Sequence, residues 1–324
     1  MFNKFIIDNF DFQRAIIRDS IVFEPFIVSD NDLISLQTAL DTALIRPDDP
    51  LLVFTINTTT LCLNLVNMIY HHVAQGVADD TAWMVSFCVV CNAGMLFSPM
   101  VHDKIYHFAD GGFYNAMTLL TDKETRSVWN HITGHCLHGV HCGYQLNHLG
   151  APLQKTALQV LGENPSAMFA NSQLASDILA ELQTDNAERL NPDLQLSPRA
   201  LSTLQLSDDR LPRFDMGLGI WTPTTQRFYP YRKIILENAI LDSLDGRKIL
   251  IYVSPVGVAP EAIYTTATRF EWFRDILKLD NGQVIREGVL YDADGGVVIA
   301  ERPQQLFQRW YSFTLLFANC EVYK

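Results

Sequence analysis

Two thiols stand three residues apart in Phe87-Cys88-Val89-Val90-Cys91-Asn92-Ala93-Gly94. Two thiolates at that spacing can hold one soft or borderline cation, or close a small redox disulfide. All nine histidines fall between His71 and His148, and five of the six cysteines lie in nearly the same stretch, Cys320 being the exception. Imidazole is the commonest metal ligand, so any chemistry belongs in residues 60–150. His71-His72 precede the thiol pair, and adjacent elements usually pack together. His71 with Cys88 and Cys91 would supply three ligands, leaving a fourth position for a side chain or for water. The densest run is Gly134-His135-Cys136-Leu137-His138-Gly139-Val140-His141-Cys142-Gly143. On a strand, Cys136 and His138 would point the same way, with His135 and His141 opposite. His138 is the fourth ligand expected, with His135 or Cys136 as alternatives.

Each feature has a plainer explanation. Paired cysteines are often small buried hydrophobes, and a late-helix histidine is often only a surface residue. Asp122, Glu124, Arg126 and Ser127 make a polar turn in which a carboxylate could act as base or orient a histidine, yet a solvated turn accounts for them too. Gly217-Leu218-Gly219 lacks the third glycine and the strand–helix context of a dinucleotide site. No phosphate-binding loop, nucleophile elbow or H-E-x-x-H is present.

The elements that must position these groups can be read coarsely. Residues 29–46 carry Leu33, Leu36, Leu40 and Leu44 at helical spacing. Leu51 to Asn57 reads as a strand, and Thr60 to Gly76 as a second helix with His71 and His72 in its last turn. From Trp83 to Gly143 short apolar runs alternate with turn signals, which suits antiparallel hairpins. LASDILAELQ is a short helix before a polar stretch with Pro192 and Pro198. KILIYVSPV is a strand, two hairpin turns follow at residues 280–282 and 292–296, and Pro303 opens a closing helix with Leu306, Trp310, Phe313 and Phe317 on one face. No internal repeat is evident residue by residue. The fold expected is α+β, mostly antiparallel hairpins with flanking helices. It divides into an N-terminal unit 1–185, a polar connector 186–210 and a C-terminal unit 211–324.

Composition limits the partners. The 324 residues carry 24 Lys+Arg against 36 Asp+Glu, a net charge of −12, and no basic cluster large enough to displace counterions from nucleic acid. The apolar stretches of the first twenty residues are broken by Asp8, Asp11, Arg14, Arg18 and Asp19, unlike a signal peptide. The run Trp310 to Ala318 is about half the ~20 residues of a spanning helix. The expectation is a protein with no integral membrane segment, cytoplasmic, with its cysteines as thiols.

The order of motifs resembles the uncharacterised bacterial family known as domain of unknown function 3179. Its pattern has a histidine on a helix, a C-x-x-C after a strand, then Asp-x-x-Thr-x-Ser-x-Trp. Here these are His71, Cys88, Cys91, Asp122, Thr125, Ser127 and Trp129; DMGLGIW, RFYPYRKI and DGRKILIYV look familial as well. The resemblance singles out His71, Cys88 and Cys91 as shared ligands and implies no reaction. It implies that relatives are often exported or lipid-anchored. The first functional expectation is therefore a site for zinc or copper at His71, Cys88 and Cys91. The alternatives are a thiol redox or cysteine-nucleophile enzyme using Cys88 or Cys91 with Asp122 orienting, and a non-enzymatic structural or interaction protein.

Overall fold

In the computed structural model, residues 10–182, 196–205 and 208–324 are described. Among the described residues the chain is β-rich and mostly antiparallel, with α-helices of 5 to 10 residues. The expected hairpins are present, and the helical part of the α+β expectation is the part that shrinks. Of residues 29–46 only Leu36–Asp41 is α-helical. Leu33–Ser35 is instead a strand paired with Met168–Ala170, because the sheet edge offers backbone partners that a short isolated helix cannot match. The helix expected from Thr60 is the strand Thr59–Asn64 followed by the helix Leu65–His71. Asn64 caps that helix through the Val66 N–H, and His72 ends it in the left-handed region at φ 59°. The closing helix likewise begins as the strand Gln304–Arg309 and turns helical only over Trp310–Leu316. The polar connector 186–210 lies partly outside the described residues.

Contrary to the reading of single residues, the chain does hold an internal repeat. The strands Pro50–Ile56 and Thr59–Asn64, the helix Leu65–His71, and the strands Val73–Ala78, Thr81–Cys88 and Ala93–Phe97 form the first copy. Met216–Trp221, Gln226–Pro230, the helix Tyr231–Glu237, and the strands Ala239–Leu244, Arg247–Val253 and Pro260–Tyr264 form the second. The register matches at one constant separation. Leu51 pairs with Asn64 as Gly217 pairs with Pro230, Val73 with Ser86 as Ala239 with Tyr252, and Met84 with Phe97 as Leu250 with Ile263. Both helices end in a left-handed residue, His72 and Asn238. Asp79 takes the hydroxyls of Thr58 and Thr59, and Asp245 those of Thr222 and Thr225.

Each copy closes in the same way. Leu153–Thr156 pairs with Pro50–Ile56, enters the helix Ala157–Glu163, and returns as Met168–Ala170 parallel to Thr59–Asn64. Gln304–Arg309 pairs with Met216–Trp221, enters Trp310–Leu316, and returns as Glu321–Val322 parallel to Gln226–Pro230. The helix Trp310–Leu316, packed on its own copy's Trp221 and Phe228, also reaches into the first copy. Trp310, Tyr311, Phe313, Leu316 and Phe317 fill the core that contains Cys88, Cys91, Phe97, Phe108 and Trp129. Gly162 of the first copy's helix meets Val289, in the strand Val289–Tyr291 between the second copy's hairpins and its closing strand. Gly217 and Gly219 are explained by packing, since a Cβ there would stand 2.4 Å from Phe228 or Phe313. Among the described residues no helix is long and apolar enough to cross a membrane.

Candidate metal centre

The strand Thr81–Cys88 and the strand Ala93–Phe97 are joined by a four-residue turn that Asn92 completes at φ 54°. A left-handed residue is tolerated there because asparagine visits that region more readily than most. The turn folds Cys91 back over Cys88. The Cys91 N–H donates to Cys88 Sγ at 3.4 Å, and Cys91 Sγ donates to the Cys88 carbonyl at 3.7 Å. Facing them is His131, just beyond the strand Val128–Asn130. Asn130 Oδ1 accepts the N–H groups of Ile132 and Thr133, both at 2.9 Å, and curls the chain inward. Ser86 Oγ donates to the His131 carbonyl at 2.8 Å and ties this turn to the thiol-bearing sheet.

His131 Nε2 lies 3.7 Å from Cys91 Sγ, and the ligating atoms of Cys88, Cys91 and His131 all fall within 4.8 Å of one another. All three residues are fully buried. Around a shared ion at 2.3 Å from sulfur and 2.0–2.1 Å from nitrogen, donor atoms stand roughly 3.5–4 Å apart, so modest contraction suffices. His131 Nδ1 is buried without a hydrogen-bond partner. Burial, with His72 adding to it, pulls the His131 pKa down to about 3. The ring is therefore neutral at ordinary pH, the form that ligates metals. Burial also acts to raise the Cys88 thiol. The Cys91 thiol and N–H, with the N–H and hydroxyl of Thr118, outweigh it and bring Cys88 down to about 7. Burial and then Cys88 push Cys91 well above its usual value. One thiol is thus prepared to ionise and the other holds its proton until something replaces it.

Of the residues singled out by sequence, Cys88 and Cys91 are brought together. His71 donor atoms are not among those converging. Its ring nitrogens meet the Glu24 carbonyl and, at 2.6 Å, Ser172 Oγ, so it ties the N-terminal segment to the start of the helix Gln173–Leu182. His138 is exposed against Phe12, with ring centroids 4.4 Å apart. His135 is half-buried with Nδ1 unpartnered, and Cys136 Sγ donates to the His138 carbonyl at 3.3 Å. None of these reaches the pair. His131 carried no spacing signal of its own; the one clue is that it follows two residues after Trp129.

The Asp-x-x-Thr-x-Ser-x-Trp motif also resolves into geometry. Asp122 is fully buried; Oδ1 accepts the Thr125 N–H and hydroxyl at 2.6 and 2.7 Å, and Oδ2 accepts the Trp129 indole N–H at 2.9 Å. The motif is a turn that seats Trp129 beneath the chain leading to His131. Asp122→Ala is expected to cost about 3 kcal/mol, because it orphans a buried indole and a turn at once. Urea unfolding measures it, and a loss below about 1 kcal/mol would contradict this structural role.

Residues 28–177 match the family model described as "Protein of unknown function (DUF3179)". The resemblance seen in the motif order is thereby shown for that stretch. The DUF3179 match holds the first copy, both thiols and His131, and the later motifs DMGLGIW, RFYPYRKI and DGRKILIYV lie beyond it. No curated protein and no solved structure matches the chain.

Proposed function

We propose that this protein binds one transition-metal ion, zinc or copper in its reduced state, through Cys88, Cys91 and His131. The observation that carries this reading is the internal control supplied by the repeat. The second copy joins the equivalent strands by a turn of the same length, with Ser254 where the first has Cys88 and Gly257 where it has Cys91, although Val258 lacks the left-handed backbone of Asn92. Gln159 of the first copy's helix reaches this second turn. A Cβ built on Gly257 or on Gly288 would lie 3.4 or 2.2 Å from its Nε2. A turn of this length between these strands therefore closes without thiols. What distinguishes the first turn is a set of soft donors around one point.

Zinc is almost always four-coordinate in proteins, so zinc here implies a water or a further donor; reduced copper is also matched by thiolates and imidazole. The thiol-redox alternative is favoured by the Cys91 hydrogen bond that lowers the Cys88 pKa. It is disfavoured by the burial of both sulfurs, because thiol exchange requires access for the attacking group. The test is the metal content of untagged protein, as isolated and after reconstitution under reducing conditions, read by plasma mass spectrometry. About one equivalent of zinc or copper is expected. Metal-free protein in both preparations would end this reading.

A further inference from the structure

The two copies also differ in what stands over the turn. Thr156, the N-cap of the helix Ala157–Glu163, makes an ordinary capping box with Gln159. The equivalent position in the second copy is Arg309, whose side chain makes no cap bond to its own helix. It crosses instead to the thiol turn. The Arg309 N–H donates to the Cys91 carbonyl at 3.1 Å, Nε to the Val90 carbonyl at 2.7 Å, and Nη1 to the Phe214 carbonyl at 2.8 Å. Arg309 is fully buried, and both thiols lie within reach of its charge. The copy without thiols receives the Gln159 carboxamide; the copy with thiols receives a buried cation.

We propose that Arg309, lent by the second copy, tunes the Cys88–Cys91–His131 centre toward a monovalent soft cation, the class to which reduced copper belongs. The proposal rests on the metal-binding reading above. Exchange of two thiol protons for a divalent ion leaves the charge of the centre unchanged, so a neighbouring guanidinium neither gains nor loses. Exchange for a monovalent ion leaves a net negative centre, which a buried cation stabilises strongly because screening is weak there. Two thiolates and one imidazole, without a fourth donor among the described His, Cys, Asp and Glu side chains, fit the low coordination of the same class of ion. Arg309 acts through the thiolates and is a positioning residue.

The experiment measures Cu(I) and Zn(II) affinities by anaerobic chelator competition for the wild type, Arg309→Gln and Arg309→Lys, with the thiolate-to-metal charge-transfer band as the spectroscopic check. Loss of the charge in Arg309→Gln is expected to weaken Cu(I) by about tenfold or more and Zn(II) by less than about threefold. Arg309→Lys, which keeps the charge, should keep the copper preference. Equal weakening of both ions, or of neither, overturns the proposal. Should Arg309→Gln not fold, Arg309→Lys is read alone, and a selective loss of Cu(I) there, with the charge kept, overturns the proposal. A wild type that binds Zn(II) but not Cu(I) leaves the metal reading standing and removes this inference; one that binds neither removes both.

Discussion

A Cys88→Ser/Cys91→Ser double variant is expected to lose metal altogether, and His131→Ala to weaken binding by at least about a hundredfold, while His71→Ala retains it. The thiolates supply the soft donors and the negative charge, so their loss removes most of the apparent binding energy, which reaches ~10–16 kcal/mol in small thiolate–imidazole zinc domains. His131 is one of three converging donors, and its neutral ring needs no proton removed before it ligates. His71 separates the structure from the motif-based expectation. Both its ring nitrogens are engaged elsewhere, so its truncation should lower stability through Glu24 and Ser172 without touching metal stoichiometry. Metal content and thermal unfolding of the three variants, each with and without added ion, report the two effects apart, because a ligand that binds only the folded state raises stability by mass action. Retention of a full equivalent by the double cysteine variant, or its loss from His71→Ala alone, would contradict this assignment.

Lys155→Met is expected to destabilise the protein by about 3–5 kcal/mol, since removing one partner strands buried charge. Lys155 Nζ lies 2.8 Å from Glu163 Oε1 and 3.1 Å from Glu261 Oε2; Arg302 spans the same two carboxylates, and the Tyr252 hydroxyl donates to Glu261 at 2.9 Å. Lys155 and Glu163 come from the first copy, Glu261 from the second and Arg302 from just before its closing strand, so this network joins the two copies. Burial acts to raise the Glu261 pKa, but Lys155 and Arg302 overcome it and hold the carboxyl down to about 2 from its ordinary 4.5. A depressed carboxylate contributes stability that is present above its unfolded value and lost as the pH falls from 4.5 toward 2. The wild type should therefore lose stability steeply across that window. The variant should start lower and show a shallower fall. Urea unfolding at a series of pH values measures both, and parallel curves for the two proteins would contradict the coupling.

Local signals were sufficient for the hairpins. The alternation and turns from Trp83 onward, the turns at residues 280–282 and 292–296 and the strand in KILIYVSPV all appear as strands and hairpins. Helical spacing misled at Leu33 and Thr60, because a residue that pairs across a sheet can also satisfy an i, i+3, i+4 pattern, and backbone partners from distant strands decide between the two. The repeat is hidden at the level of single residues because equivalent positions share geometry far more than identity. The visible traces were short, such as Thr58-Thr59 with Asp79 against Thr224-Thr225 with Asp245.

By itself, the sequence determined that Cys88 and Cys91 would lie together. Three residues on a tight turn between paired strands leave the two side chains little room to part. It also determined that Asp122 and Trp129 belong to one short turn. Tertiary structure alone decided the third donor and the charge beside it. His131 arrives from another sheet by the strand order, and Arg309 from the far end of the chain by the packing of the second copy's closing strand and helix against the first. Neither contact has a sequence period, because sheet order sets the one separation and the packing of the two copies sets the other.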